Sequence, residues 1–118
     1  MSDRVEISFT AAKATLRSAM IANMGGRTPE EINLHARAKE TLNKFAAFED
    51  VMDGHARMSG NPITEHTLSV RVAYNEASVP QKVEWLAKAI DDLVARTCVD
   101  QKPISSYPRF AKLQPAGN

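Results

Sequence analysis

At 118 residues, 43% of them hydrophobic and 25% charged, the chain has the composition of one globular domain, or of one domain with a tail, and not that of a disordered sequence. A single cysteine, Cys98, excludes an internal disulfide and a cysteine-built zinc site, and it reads as an ordinary small apolar residue. The formal net charge of +1 argues neither for nor against a polyanionic partner.

The charge is unevenly placed. Arg4, Lys13, Arg17 and Arg27 outnumber Asp3 and Glu6 near the N-terminus, and Lys102, Arg109 and Lys112 stand without an acid after residue 100, so positive ends bracket an acidic middle. The opening MSDRVEISF lacks the apolar stretch of a secretory signal, and no run approaches the roughly 18 apolar residues of a membrane span. No membrane partner is expected, and the cytoplasm is the expected location.

Residues 4–9, Arg-Val-Glu-Ile-Ser-Phe, alternate strictly, with Val5, Ile7 and Phe9 on one face and Arg4, Glu6 and Ser8 on the other. A period of two predicts a half-buried strand. Thr10 then caps a predicted helix from Ala11 to Met24, along which Ala12, Leu16, Met20 and Met24 form an apolar row, and Gly25-Gly26 ends it. Thr28-Pro29-Glu30-Glu31 opens the next helix as a capping box. This helix is predicted to run to about Asp53, with Leu34, Ala38, Leu42, Phe45, Phe48 and Met52 along one stripe.

Gly54, Gly60, Asn61 and Pro62 mark a break. Thr67 to Tyr74 alternates again and predicts a possible second strand, with Leu68, Val70, Val72 and Tyr74 on its apolar face. Ser78 then caps an amphipathic helix to about Thr97 built on Val83, Leu86, Ala87, Ile90, Leu93 and Val94, with Trp85 near its edge. From Asp100 onward the chain carries Pro103, Pro108 and Pro115 and no periodicity, which predicts an extended tail. The expected fold is therefore α+β and mainly helical: a short N-terminal strand, two helices, a possible second strand, a C-terminal helix and an extended tail. Residues 1–99 form one compact domain, and 100–118 the tail.

Catalytic and metal chemistry find little support. Asp50, Asp53 and His55 fall near one predicted helix end, with Glu65-His66 after the loop, and the simplest reading is a solvated helix end. HExxH, GxSxG and phosphate-cradling glycine loops are all absent. No catalytic residue, metal site or cofactor is expected.

The order strand, helix, glycine turn, helix, carried by Arg4-Val5-Glu6-Ile7-Ser8-Phe9-Thr10, Met20, Met24-Gly25 and Thr28-Pro29-Glu30-Glu31-Ile32, resembles the ribbon-helix-helix family of DNA-binding proteins (CopG/Arc/MetJ type) over residues 3–46. The resemblance implies a homodimer in which two copies pair their first strands, and the polar face of that ribbon enters the major groove of double-stranded DNA. It implies Arg4, Glu6 and Ser8 at the bases, and the amides of Gly26, Arg27 and Thr28 on a backbone phosphate. Lys13, Arg17, His35 and Lys39 stand where that family has apolar side chains.

Two alternatives stay open beside this. The first strand can instead pair in cis with Leu68, Val70, Val72 and Tyr74 in one small sheet. In function, a small protein-binding inhibitor or adaptor competes with a DNA-binding regulator. Its support is the Phe45–Met52 stripe and the cluster Tyr107, Pro108, Arg109 and Phe110, an aromatic pattern suited to a partner groove.

Overall fold

A computed structural model describes residues 3–60 and 65–111. The chain is mainly helical α+β, as its periodicities predict. In order it forms strand β1 (Arg4–Ser8), helices α1 (Phe9–Ala22) and α2 (Pro29–Ser59), strand β2 (Thr67–Arg71), a 3-10 turn (Val72–Glu76) and helix α3 (Val79–Arg96). A two-residue hairpin follows, β3 (Cys98–Val99) and β4 (Lys102–Pro103), then a 3-10 turn (Ile104–Ser106) and the short helix α4 (Pro108–Ala111).

β1 and β2 pair antiparallel within the one chain: Arg4 faces Arg71, Val5 faces Val70, Glu6 faces Ser69, Ile7 faces Leu68 and Ser8 faces Thr67. This decides between the two pairings left open by the sequence. The partner that the family resemblance assigns to a second copy is here the chain's own β2. Val72 N–H still bonds the Asp3 carbonyl, at 2.7 Å, but the predicted continuation of the strand to Tyr74 does not form. Residues 72–76 turn instead into a 3-10 segment, which buries Tyr74 and leaves Val72 at the surface.

α1 starts two residues earlier than predicted, because Ser8 and not Thr10 is its cap: the Ser8 hydroxyl accepts from Ala11 N–H at 3.1 Å. Phe9 becomes the first helical residue and is fully buried, and the inward row is Phe9, Ala12, Leu16 and Ala19. Met24, which the predicted row placed inward, is exposed. Thr10 is used differently, donating through both its amide and its hydroxyl to Glu65 Oε1, each at 3.0 Å. These two bonds hold the Glu65 carboxyl below the usual glutamate range, the amide contributing most.

α2 carries the predicted capping box but runs to Ser59, six residues beyond the expected end. Gly54 has open space around it and costs the helix about 1 kcal/mol relative to alanine, yet the helix continues through it. The stop is Gly60, whose φ of 77° is the left-handed conformation that ends helices and that only glycine adopts cheaply. The other half of the predicted break, Asn61-Pro62, lies outside the described residues.

The helices form one layer under the ribbon. Lys13 bonds Glu49 at 2.8 Å and His35 Nδ1 lies 2.8 Å from the Met20 carbonyl, so α1 and α2 are antiparallel. Arg37 meets Glu84 and Lys44 meets Asp91, so α2 and α3 run in the same direction. Phe9 packs edge to face on Phe45 and at a tilt on Phe48 at the centre, with ring centroids 4.7 and 5.5 Å away, in one core with Leu68 and Val70.

The segment after α3 departs from the expected extended tail. Asp100 and Gln101 both take positive φ (52° and 69°), the conformation of a tight two-residue hairpin turn, and fold Lys102–Pro103 back on Cys98–Val99. Ile104 N–H then bonds the Thr97 carbonyl at 2.7 Å, and Ile104 and Phe110 are buried in the same core as the helices. The end of the predicted tail, with Pro115, lies outside the described residues.

Candidate nucleic-acid interface

Alternation fixes which side of the ribbon faces out. Val5, Ile7, Leu68 and Val70 point to the helices, so the outward row consists of Arg4, Glu6 and Ser8 from β1 and Thr67, Ser69 and Arg71 from β2. Backbone bonds Phe9 N–H to His66 O and Val72 N–H to Asp3 O place the hydrogen-bonded pairs at the odd-numbered β1 residues. The outward residues therefore form the close, non-hydrogen-bonded pairs, with side chains near one another. Thr67 Oγ1 donates to Glu6 Oε1 at 2.9 Å, while Arg4 donates from Nε to Ser69 Oγ at 3.2 Å and from a terminal nitrogen to the Ser69 carbonyl at 3.1 Å. The three ribbon residues singled out from the sequence thus share one surface, and β2 doubles it.

Beside β2 lies a groove whose other wall is α3. Its more enclosed part, about 250 Å³, is lined by Arg4, Ser69 and Arg71 from the ribbon and by Trp85, Lys88 and Asp92 from the helix. A shallower depression continues it past Ala95 to Arg96. Residues 85, 88, 92 and 96 are spaced by three or four and form one stripe of the helix. Sequence reasoning placed Trp85 at a helix edge and did not pick out Arg71, Lys88 or Arg96. Their helical and strand spacing was visible, but nothing local says that this edge of α3 borders the ribbon.

The expected phosphate contacts are not available. Gly26 N–H donates to the Asn23 carbonyl at 3.1 Å, while Arg27 and Thr28 N–H donate to Glu31 Oε1 at 3.3 and 3.2 Å. The chain's own carboxylate occupies the position assigned to a phosphate, and these bonds, that from Thr28 N–H first, hold the Glu31 carboxyl below the usual range. Gly26 serves a steric purpose: a Cβ on it would come within 2.4 Å of the Glu31 Cβ.

The tail cluster is likewise spent within the chain. Phe110 is 5% exposed, the Tyr107 hydroxyl donates to the Val99 carbonyl at 3.0 Å, and Arg109 forms an ion pair with Asp50. Tyr107, Arg109 and Phe110 therefore anchor the C-terminal segment and do not present an aromatic pair to a partner. Burial of Phe45 and Phe48 removes the other expected partner surface.

Around the former metal candidate, His66 packs between the Phe9 and Phe48 rings, at 5.4 Å from each, and its Nε2 lies 3.8 Å from Asp53 Oδ1. Among the described residues no three His, Cys, Asp or Glu side chains gather closely enough to hold a metal ion. No helix among them is long and apolar enough to cross a membrane. Compared with known protein families, with curated proteins and with solved structures, the chain matches none.

Proposed function

We propose that this chain is a binding protein and not a catalyst: a DNA-binding regulator that lays its β1–β2 ribbon in the major groove of duplex DNA. The observation that carries the reading is the outward face of the ribbon, where all six side chains are polar and all can donate or accept hydrogen bonds. Two five-residue strands span about 17 Å and are about 5 Å apart. A ribbon of that size fits a major groove about 12 Å wide.

The roles follow from side-chain chemistry. Arg4 and Arg71 each suit the O6 and N7 acceptors of guanine, and Glu6 can accept from the cytosine amino group. Ser8, Thr67 and Ser69 serve either base type. The Arg4 contact with Ser69 holds its guanidinium across the ribbon, so part of the ordering cost is met before binding. Because the ribbon is complete in one chain, reading needs no second copy. A homodimer would set two ribbons on two half-sites.

Fluorescence anisotropy with random duplex DNA at two salt concentrations tests the proposal. Binding at low salt that weakens steeply with added salt is expected. Absence of binding at low salt by the folded protein overturns it. A protein partner is the second reading, favoured by the exposure of Ile21, Met24 and Ile32 (62%, 63% and 53%) around the α1–α2 turn. Loss of a captured partner on Met24→Asp, with DNA binding absent, would decide for it.

A further inference from the structure

We infer that the groove between β2 and α3 is a phosphate-binding site, and that its ligand is a backbone phosphate of the duplex whose groove the ribbon occupies. The inference rests on the DNA-binding reading for the source of the phosphate. It rests on the groove's own charges for the chemistry.

Four cations, Arg4, Arg71, Lys88 and Arg96, line the continuous groove with one carboxylate, Asp92. Asp92 sits four residues from both Lys88 and Arg96, the spacing at which helical ion pairs form, yet among the described residues neither pair closes to within 4.0 Å. Arg71 also has no acidic partner at that distance among them, and its cross-strand neighbour is another arginine.

Between other elements Lys13, Arg37, Lys44 and Arg109 are each paired with a carboxylate. Other surface cations, Arg17, Arg27, Lys39 and Arg57 among them, also close no ion pair among the described residues. What sets Lys88 and Arg96 apart is that they lie on one stripe of α3 and line one groove, where arginine's planar donors match phosphate oxygens. The groove takes in about 250 Å³ beside Trp85 and Lys88 and about 460 Å³ in the shallower stretch that reaches Arg96, room for the phosphoryl groups of a strand, with Trp85 in one wall.

The test uses full-length protein with Lys88→Gln and Arg96→Gln, both at exposed positions, with unfolding temperature as the control for fold. Anisotropy with random duplex DNA is followed across salt concentrations. Each substitution is expected to weaken binding alike on different sequences and to lower the slope of log affinity against log salt by about one. Wild-type binding with unchanged slopes in both variants overturns the groove and leaves the ribbon reading standing.

If the wild-type protein binds no duplex, the ribbon reading falls. The emission of Trp85, the chain's single tryptophan, titrated with inorganic pyrophosphate, then decides the groove. A saturable change, lost in Lys88→Gln, keeps the phosphate site and assigns it a free phosphorylated ligand; no change overturns it.

Discussion

α3 has two polar flanks, and they are built on opposite rules. Toward α2, Glu84 lies 3.0 Å from Arg37 and Asp91 2.7 Å from Lys44, so the acids of that flank are answered across the seam. Toward the ribbon, Lys88 and Arg96 share a stripe with Asp92 and close no ion pair with it. Both flanks belong to one amphipathic helix and rest on one buried face, Val83, Leu86, Ala87, Ile90 and Val94. The difference teaches that charge alone does not mark a working surface. A paired seam holds two parallel helices side by side, whereas the stripe toward the ribbon leaves its cations free of ion pairs among the described residues, and the proposed phosphate site rests on that.

The comparison presumes that both flanks hang on a common core, and removing that core is the largest expected effect. Phe45 is fully buried against Phe9, and Phe45→Ala should cost about 3–5 kcal/mol of unfolding free energy in denaturant titration. DNA binding should disappear at the temperature where the variant unfolds. Unchanged stability would mean that the ribbon and helices do not share the core described.

A smaller effect separates the capping box from binding. Thr28→Ala removes a hydroxyl that accepts from Glu31 N–H at 3.1 Å, and should cost about 1 kcal/mol without changing the salt dependence of DNA binding. If the slope falls instead, the turn before α2 holds phosphate after all.

The paired seam should contribute least. Its acidic partners are about half exposed, so a double-mutant cycle on Lys44→Met and Asp91→Asn should give roughly 0.2–1 kcal/mol of coupling, and less in high salt. Neither substitution should affect DNA affinity as Lys88→Gln is expected to under the proposed phosphate site. Equal effects on affinity from the two flanks would dissolve the distinction between them.

Acid sharpens the same contrast. Glu31 and Glu65 have carboxyls lowered in the folded chain, first by the amides of Thr28 and Thr10. A depressed folded value means stability that is present above the ordinary glutamate range, about 4.3, and lost as pH falls through the lower folded value. A thermal unfolding series should therefore show stability falling below that range, and Glu65→Gln should flatten the fall. Stability that rises on acidification would contradict these bonds.

Much of the fold was legible along the chain because it is locally encoded. Thr28 and Glu31 satisfy each other's helix-end groups within four residues, and the alternation of residues 4–8 and 67–71 states which side of each strand is apolar. Boundaries were less legible. Ser8 and Thr10 are both competent caps, and the choice fell to Ser8 because β1 ends against Thr67. Gly54 and Gly60 are both possible stops, and the choice fell to the glycine in the left-handed conformation.

The sequence by itself determined the polar row Arg4, Glu6 and Ser8, the apolar faces of the helices and the single-domain scale. Tertiary structure decided that β1 pairs with β2 in cis, that Tyr107 and Phe110 close onto the core, and that Trp85, Lys88 and Arg96 border the ribbon. The reason is physical: periodicity specifies which face of an element must leave water, but many surfaces can cover an apolar face equally well. Which one does so depends on the length of chain between the elements and on how their volumes pack, and neither quantity is written at any one position.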